Sequence, residues 1–148
     1  MKKLNFAIFG ALLAISLATQ ALAETTIPWT KEGCESVKGT WVTAHSPDDD
    51  GCDAAHCNGL NFCRSNVSMN WWSALIWCKS IGRELASIED ACPNSISTLT
   101  CANLKGRMIR EWTTTFDTKG RICLVHNDRM YIGLDSPIGL SSEHALCK

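Results

Sequence analysis

The sequence has little excess charge of either sign and no later apolar run of membrane-spanning length. Its 148 residues include 14 Lys and Arg and 15 Asp and Glu, a formal net charge of −1. Proteins that bind nucleic acid neutralise phosphates with a basic surface, so this balance disfavours nucleic acid as a partner. After the N-terminal segment no stretch reaches the roughly 18 apolar residues of a membrane-spanning helix. We therefore expect no membrane insertion once that segment is removed.

The sequence also lacks the motifs of common hydrolases and dithiol oxidoreductases. It contains no Gly-x-Ser-x-Gly, no His-Glu-x-x-His and no Cys-x-x-Cys. His126 follows Cys123 by three residues, which in a strand places the two side chains on opposite faces. These absences predict a protein that is not an enzyme, with no catalytic residue and no cofactor, and leave a hydrolytic enzyme as the least favoured alternative.

The first 23 residues have the three parts of a signal peptide. Lys2 and Lys3 give the charged start, residues 4–17 form a short apolar stretch, and Ala21-Leu22-Ala23 is a small-x-small cleavage site. Cleavage before Glu24 leaves 125 residues, which is one domain in size. We expect a secreted or periplasmic protein, and the form of the signal indicates a bacterial one.

All nine cysteines lie after the expected cleavage point, at about 7% of the remaining residues. This content is typical of disulfide-stabilised proteins of oxidising compartments. A zinc site is the alternative, because Cys52, His56, Cys57 and Cys63 lie close together with His45 nearby. Their spacing fits no common zinc motif, and disulfides would consume the thiolates. We expect no metal site here.

Residues 48–53 form an acidic run, Asp-Asp-Asp-Gly-Cys-Asp, that offers oxygen ligands to calcium. Its glycine stands at the fourth position rather than the sixth, and the distal bidentate glutamate of a calcium loop is missing. The run is interpreted as a solvated turn.

Residues 24–62 form a cysteine-rich N-terminal extension, for which turn formers predict loops and short strands. Cys34, Cys52 and Cys57 would tie it together, with Trp29, Trp41 and Val42 as core anchors.

The rest of the chain contains two helix signals followed by strands. Asn70 can cap a helix over residues 71–81 that Gly82 ends, and Ser87 opens a second helix with a capping box. Helical spacing indicates Trp77 as the most exposed tryptophan. Strands are predicted at 111–115, with Trp112 buried, at 122–126 and 130–134 as a hairpin, and at 144–147.

The stretch Asn70–Glu89, with its Trp-Trp-Ser-Ala, Cys78 and Gly-Arg-Glu-Leu-Ala-Ser elements, resembles the first-helix signature of C-type-lectin-like domains. Residues 112–114, Trp-Thr-Thr, resemble a strand of bacterial relatives of that fold, and residues 145–148 resemble its last strand. The resemblance covers about residues 63–148. It implies an α+β domain with two short helices packed on small antiparallel sheets, stabilised by disulfides.

The resemblance also implies a disulfide between Cys78 and Cys147. The acidic-proline loop and the Trp-Asn-Asp strand that hold calcium in sugar-binding members are both absent, so calcium-dependent sugar binding is not expected. Cys92 and Cys101 lie close enough in sequence for a local bridge, whereas the pairing of Cys34, Cys52, Cys57 and Cys63 stays open. Nine is odd, so at least one cysteine is free or bonds another chain. Cys123 is the candidate, as a free thiol or as the link of a covalent homo-oligomer.

We predict a non-catalytic recognition module that binds an extracellular protein or glycan, in adhesion or at the cell envelope. A structural subunit of a surface appendage or envelope complex is the alternative. Analogy with the fold places ligand contacts on the long loops and last strands, at Asp117, Lys119, Arg121, Arg129, Tyr131 and Asp135.

Overall fold

A computed structural model describes residues 26–94, 101–107, 110–116, 122–126, 129–132 and 142–148. In 122–126 and 129–132 the description covers the backbone. The signal peptide expected over residues 1–23 lies outside these ranges.

Short helices and strands alternate along the described chain. The helices are α1 (Lys31–Ser36), α2 (Trp71–Ser80) and α3 (Ile88–Ala91), with one 3-10 turn at Ala102–Leu104. The strands are β1 (Gly39–Thr43), β2 (Asn61–Met69), β3 (Arg110–Phe116), β4 (Ile122–His126), β5 (Arg129–Ile132) and β6 (Glu143–Cys147).

The six strands form one sheet in the order β1-β2-β6-β3-β4-β5. Neighbours are antiparallel except β3 and β6, which are parallel at Glu111–His144 and Trp112–Ala145. The α+β class is therefore confirmed. The expectation of small antiparallel sheets is wrong, because the last strand inserts between β2 and β3 and runs parallel to β3. The expected hairpin forms, with β4 paired to β5 in the register His126–Arg129.

The N-terminal extension contributes a helix and a strand to this fold. Thr30 caps α1 by accepting a hydrogen bond from the Gly33 amide at 3.1 Å, so the expectation of loops and short strands alone is wrong for this segment. The boundary expected at residue 62 lies inside β2, and β1 pairs with β2 along its whole length. Extension and remainder thus share one sheet.

The predicted helix after Asn70 is confirmed. The Asn70 side chain accepts a hydrogen bond from the Ser73 amide at 2.9 Å, and Gly82 ends the helix with φ of 71°. The expectation that Trp77 is the most exposed tryptophan is wrong: Trp77 packs against the core, whereas Trp72 is 54% exposed. At 3.6 residues per turn, Trp77 lies about 95° from the middle of the buried face formed by Trp71, Ala74 and Cys78, and Trp72 about 125°.

The capping box at α3 is also confirmed. Ser87 and Asp90 bond each other's backbone amides, at 2.8 and 3.1 Å. The Lys148 ammonium lies 2.7 Å from the same Asp90 carboxylate. This contact joins the end of the described chain to the start of the helix.

Residues 84–86 form a short extended segment that separates β3 from β6. The Thr114 amide donates to Ala86 O at 2.9 Å, and the Ala86 amide donates to Leu146 O at 2.7 Å. Leu85 makes an isolated antiparallel bridge with Cys147. The two parallel strands therefore pair at one end and diverge around this segment at the other.

Apolar side chains are buried on both faces of the sheet. One cluster lies under α1 and α2 and includes Trp71, Ala74, Cys78 and the predicted buried residue Trp112. The second cluster contains Val42, Phe62, Ala86, Ile88, Leu104 and Leu146. Trp29 and Trp41 meet edge-on at 5.0 Å and pack against the first cluster.

Four disulfides join these elements, which confirms a disulfide-stabilised protein. The bonds are Cys34–Cys63, Cys52–Cys57, Cys78–Cys147 and Cys92–Cys101. Cys78–Cys147, the pair that the resemblance implies, bonds the middle of the fold to its last strand across 69 residues. Cys123 stands opposite Ile132 in the backbone register of the β4–β5 hairpin.

Candidate binding surface

Helix α2 is apolar on two sides. Its buried side contains Trp71, Ala74 and Cys78. Its outer side contains Trp72, Leu75 and Ile76, with Lys79 at the next position of the same stripe. Trp72 is 54% exposed and Ile76 is 65% exposed. Trp72 and Ile76 therefore form an exposed apolar stripe on the outer side of α2.

The end of β3 extends this apolar surface. Thr114 and Phe116 follow Trp112 at alternate positions, which places the three residues on the same face of the strand. Phe116 is 46% exposed. We use the name "α2 surface" for Trp72, Leu75, Ile76 and Phe116.

The buried Trp71 ring fixes the two exposed rings of this surface. Its centroid lies 4.8 Å from Trp72 and 5.6 Å from Phe116, both in edge-to-face arrangements. Trp71 is itself held by a hydrogen bond from its Nε1 to Thr113 O at 2.8 Å. The exposed rings therefore rest on a rigid base, which lowers the conformational entropy that binding would cost.

A cleft of about 250 Å³ adjoins the α2 surface where residues 84–86 separate β3 from β6. Its wall residues are Leu75, Lys79, Glu84, Leu85, Thr114 and Lys148. Clefts that enclose drug-sized ligands measure about 300–1,000 Å³, so this one suits a single side chain or ring.

One wall of the cleft is fixed by an ion pair. Burial raises the pKa of Asp90, but hydrogen bonds from Lys148 and from the Ser87 side chain and backbone outweigh it, and the pKa lies below its usual value. The Asp90 carboxylate is therefore ionised at neutral pH and holds the Lys148 ammonium in place. Lys79 and Glu84 lie at the rim as exposed charges of opposite sign.

Two of the six ligand-contact residues predicted from the sequence, Arg129 and Tyr131, lie in the described part of the chain. Asp117, Lys119, Arg121 and Asp135 are outside the described residues. Arg129 and Tyr131 are in β5, in register with His126 and Leu124. The α2 surface and its cleft were missed. The signal in the sequence is a ten-residue helix with apolar residues on two sides.

The candidate metal ligands near residue 50 are engaged with one another. Asp49 Oδ2 accepts a hydrogen bond from the Ser46 amide and lies 3.0 Å from His45 Nδ1. These two contacts, the amide first, lower the pKa of Asp49. The hydrogen bond from His56 at 2.6 Å lowers the pKa of Asp53 in the same way. Within the part of the chain described above, no three His, Cys, Asp or Glu side chains come together as metal ligands do.

Among the described helices none combines the length and the apolar character that crossing a membrane requires. Comparison of the chain with protein-family models, with curated proteins and with solved structures finds no match.

Proposed function

We propose that this protein is a non-catalytic recognition module of the bacterial periplasm or exterior that binds a protein through the α2 surface. The observation that carries the proposal is the exposure of Trp72, Ile76 and Phe116 on a rigid base. Large apolar side chains in one patch, rimmed by polar residues, are typical of interaction sites on soluble proteins.

The composition of the surface favours a protein over a glycan as the ligand. Its exposed tryptophan is of a type enriched at binding hot spots. Two aliphatic side chains, Leu75 and Ile76, lie beside it and add apolar area without hydrogen-bonding groups. The adjoining cleft has room for one apolar side chain of the partner, between Leu75 and Leu85.

The size of the surface argues against stable self-assembly through it. A Trp or Phe side chain buries roughly 150–250 Å², so the exposed fractions of Trp72, Ile76 and Phe116 amount to something on the order of 300 Å². A stable protein interface buries about 800 Å² on each partner. The patch fits a peptide segment better than a second copy, which makes the alternative of a structural subunit less favoured.

The proposal also includes the compartment of the protein and its C-type-lectin-like architecture. Four disulfides in a small chain support an oxidising compartment, secreted or periplasmic. A C-type-lectin-like architecture over about residues 63–148 is supported by α2, by its disulfide to β6 and by the alternating helices and strands that follow.

A phage-display selection tests this proposal: a random peptide library is selected for binding to the disulfide-intact protein. We expect enriched peptides to contain a large apolar residue, and to bind neither a Trp72→Ser variant nor an Ile76→Ser variant. Val67→Ser is the matched control, because Val67 is 66% exposed, like Ile76 at 65%, but lies on β2.

Three outcomes would overturn the proposal. These are enrichment of no peptide, equal binding by the Ile76→Ser and Val67→Ser variants, and binding to a glycan array that depends on Trp72 while peptides fail. Sedimentation analysis of the free protein adds a fourth: a dimer that Ile76→Ser dissociates would make the α2 surface a self-assembly interface.

A further inference from the structure

The cleft beside the α2 surface is lined by two elements that carry charges of opposite sign. Helix α2 supplies Leu75 and, one turn later, Lys79. The extended segment at residues 84–86 supplies Glu84 and Leu85. Each element therefore places one leucine and one charged residue at the cleft. Leu75 also belongs to the α2 surface, so the cleft continues that surface.

The charges of Lys79 and Glu84 are exposed and are not neutralised by a neighbour. Among the residues that the structure describes, no carboxylate pairs with the Lys79 ammonium and no cation pairs with the Glu84 carboxylate. The Glu84 backbone is held in place, because its amide donates to Lys148 O at 3.4 Å and its carbonyl accepts from the Lys148 amide at 2.9 Å. Lys148 adds no net charge, since the Asp90 carboxylate lies 2.7 Å from its ammonium. One positive and one negative charge thus remain at the rim of an apolar cleft.

The spacing of these residues defines what a complementary peptide would look like. The Cα atoms of Leu75 and Lys79 are about 6 Å apart along α2, at 1.5 Å per residue. An extended peptide rises about 3.3 Å per residue, so this separation equals about two peptide positions. Residues two positions apart also lie on the same side of an extended chain. Glu84 is adjacent to Leu85, which gives a separation of one to two positions for the other charge.

From this arrangement we infer that the partner of the α2 surface is an extended peptide segment in which a large apolar residue stands between an acidic and a basic residue, each within two positions. The apolar side chain enters the cleft, the acidic residue pairs with Lys79 and the basic residue pairs with Glu84. Charge complementarity of this kind selects partners and fixes their register more than it adds affinity. The inference rests on the proposed function and adds the order of two charges, which fixes the direction of the bound segment.

Pairs of peptides with identical composition test the inference. One member is a peptide selected for binding to the disulfide-intact protein, and in the other its flanking acidic and basic residues are exchanged. Fluorescence anisotropy measures the affinity of each labelled peptide at low and at high salt concentration. We expect the selected peptide to bind about fivefold more tightly at low salt, a modest factor because exposed ion pairs are weak. High salt should narrow the difference, because it screens exposed charges.

The decisive variant is Lys79→Glu/Glu84→Lys, which exchanges the two charges of the cleft and keeps the net charge of the protein. Both side chains are exposed, so we expect the fold to be unchanged. This variant should prefer the charge-exchanged peptide. Lys31→Glu/Glu35→Lys is the matched control, because it exchanges the charges of an exposed ion pair on α1. The control should keep the preference of the unchanged protein.

The outcomes separate this inference from the proposed function. The inference alone is overturned if the two peptides bind equally, or if Lys79→Glu/Glu84→Lys keeps the original preference, while binding still depends on Trp72. It is also overturned if peptides that need Trp72 carry no charges within two positions of their apolar residue. Failure to enrich any peptide, or peptides that bind the Trp72→Ser variant unchanged, would overturn the proposed function and the inference with it.

Discussion

The Cys78–Cys147 disulfide should contribute more to stability than each of the other three disulfides of the described residues. It closes a loop of 69 residues, whereas the loops of Cys34–Cys63, Cys92–Cys101 and Cys52–Cys57 have 29, 9 and 5. In the chain-entropy model a cross-link restricts the unfolded chain more as the loop grows. The model gives about 4.4 kcal/mol for the loop of 69 residues, about 3.6 for 29, about 2.6 for 9 and about 2.1 for 5.

Two equally buried disulfides can be compared to separate the effect of loop length from the effect of lost packing. Cys78, Cys147, Cys92 and Cys101 are all fully buried, so replacing either pair with alanine removes two core sulfur atoms. The difference of about 1.8 kcal/mol expected between the two double variants therefore reports loop length. Both variants must be produced in an oxidising compartment, so that the remaining three disulfides form.

Urea unfolding followed by tryptophan fluorescence measures these differences, because Trp71 and Trp112 lie in the core next to Cys78. We expect the free energy of unfolding to fall most for Cys78→Ala/Cys147→Ala. A Cys92→Ala/Cys101→Ala protein that is equally or more destabilised would refute the loop argument.

Three further changes test other parts of the fold. Asp90→Asn should lower the free energy of unfolding by about 1 kcal/mol at pH 7. The folded-state pKa of Asp90 lies below its unfolded value, so this difference in unfolding free energy should persist above about pH 4 and vanish as the pH falls through the folded pKa. The control variant Asp50→Asn, at an exposed position, should change the unfolding free energy little at neutral or acidic pH. Asn70→Ala should cost about 1 kcal/mol in thermal or urea unfolding through loss of the α2 cap. Gly82→Ala should cost more than the ~1 kcal/mol of an ordinary glycine substitution, because φ is 71° and the new methyl group would lie about 3 Å from Thr26; unchanged unfolding would contradict this geometry.

Local signals explain which elements could be predicted from the sequence. Asn70, Ser87 and Gly82 act through hydrogen bonds and backbone angles within a few residues, so the caps and the end of α2 are visible in the sequence. The β4–β5 hairpin is visible for the same reason, because two runs of strand formers flank a short turn. By contrast, α1 has six residues, and only Thr30 signals its start.

Long-range packing explains what could not be predicted. The parallel pairing of β6 with β3 joins strands that are distant in sequence, and no local pattern encodes it. The exposure of Trp72 rather than Trp77 depends on which side of α2 the sheet covers. The cleft needs residues 84–86, Thr114 and Lys148 together, and these meet only in the folded chain.

The affinity of a selected peptide for two matched variants tests the α2 surface most directly. We predict that Trp72→Ala weakens binding about thirtyfold, the effect of losing a hot spot of roughly 2 kcal/mol. Val67→Ala, at an equally exposed position on β2, should stay within twofold of the unchanged protein. Equal affinities of the Trp72→Ala and Val67→Ala proteins for the peptide would contradict the proposal that the α2 surface is the binding site.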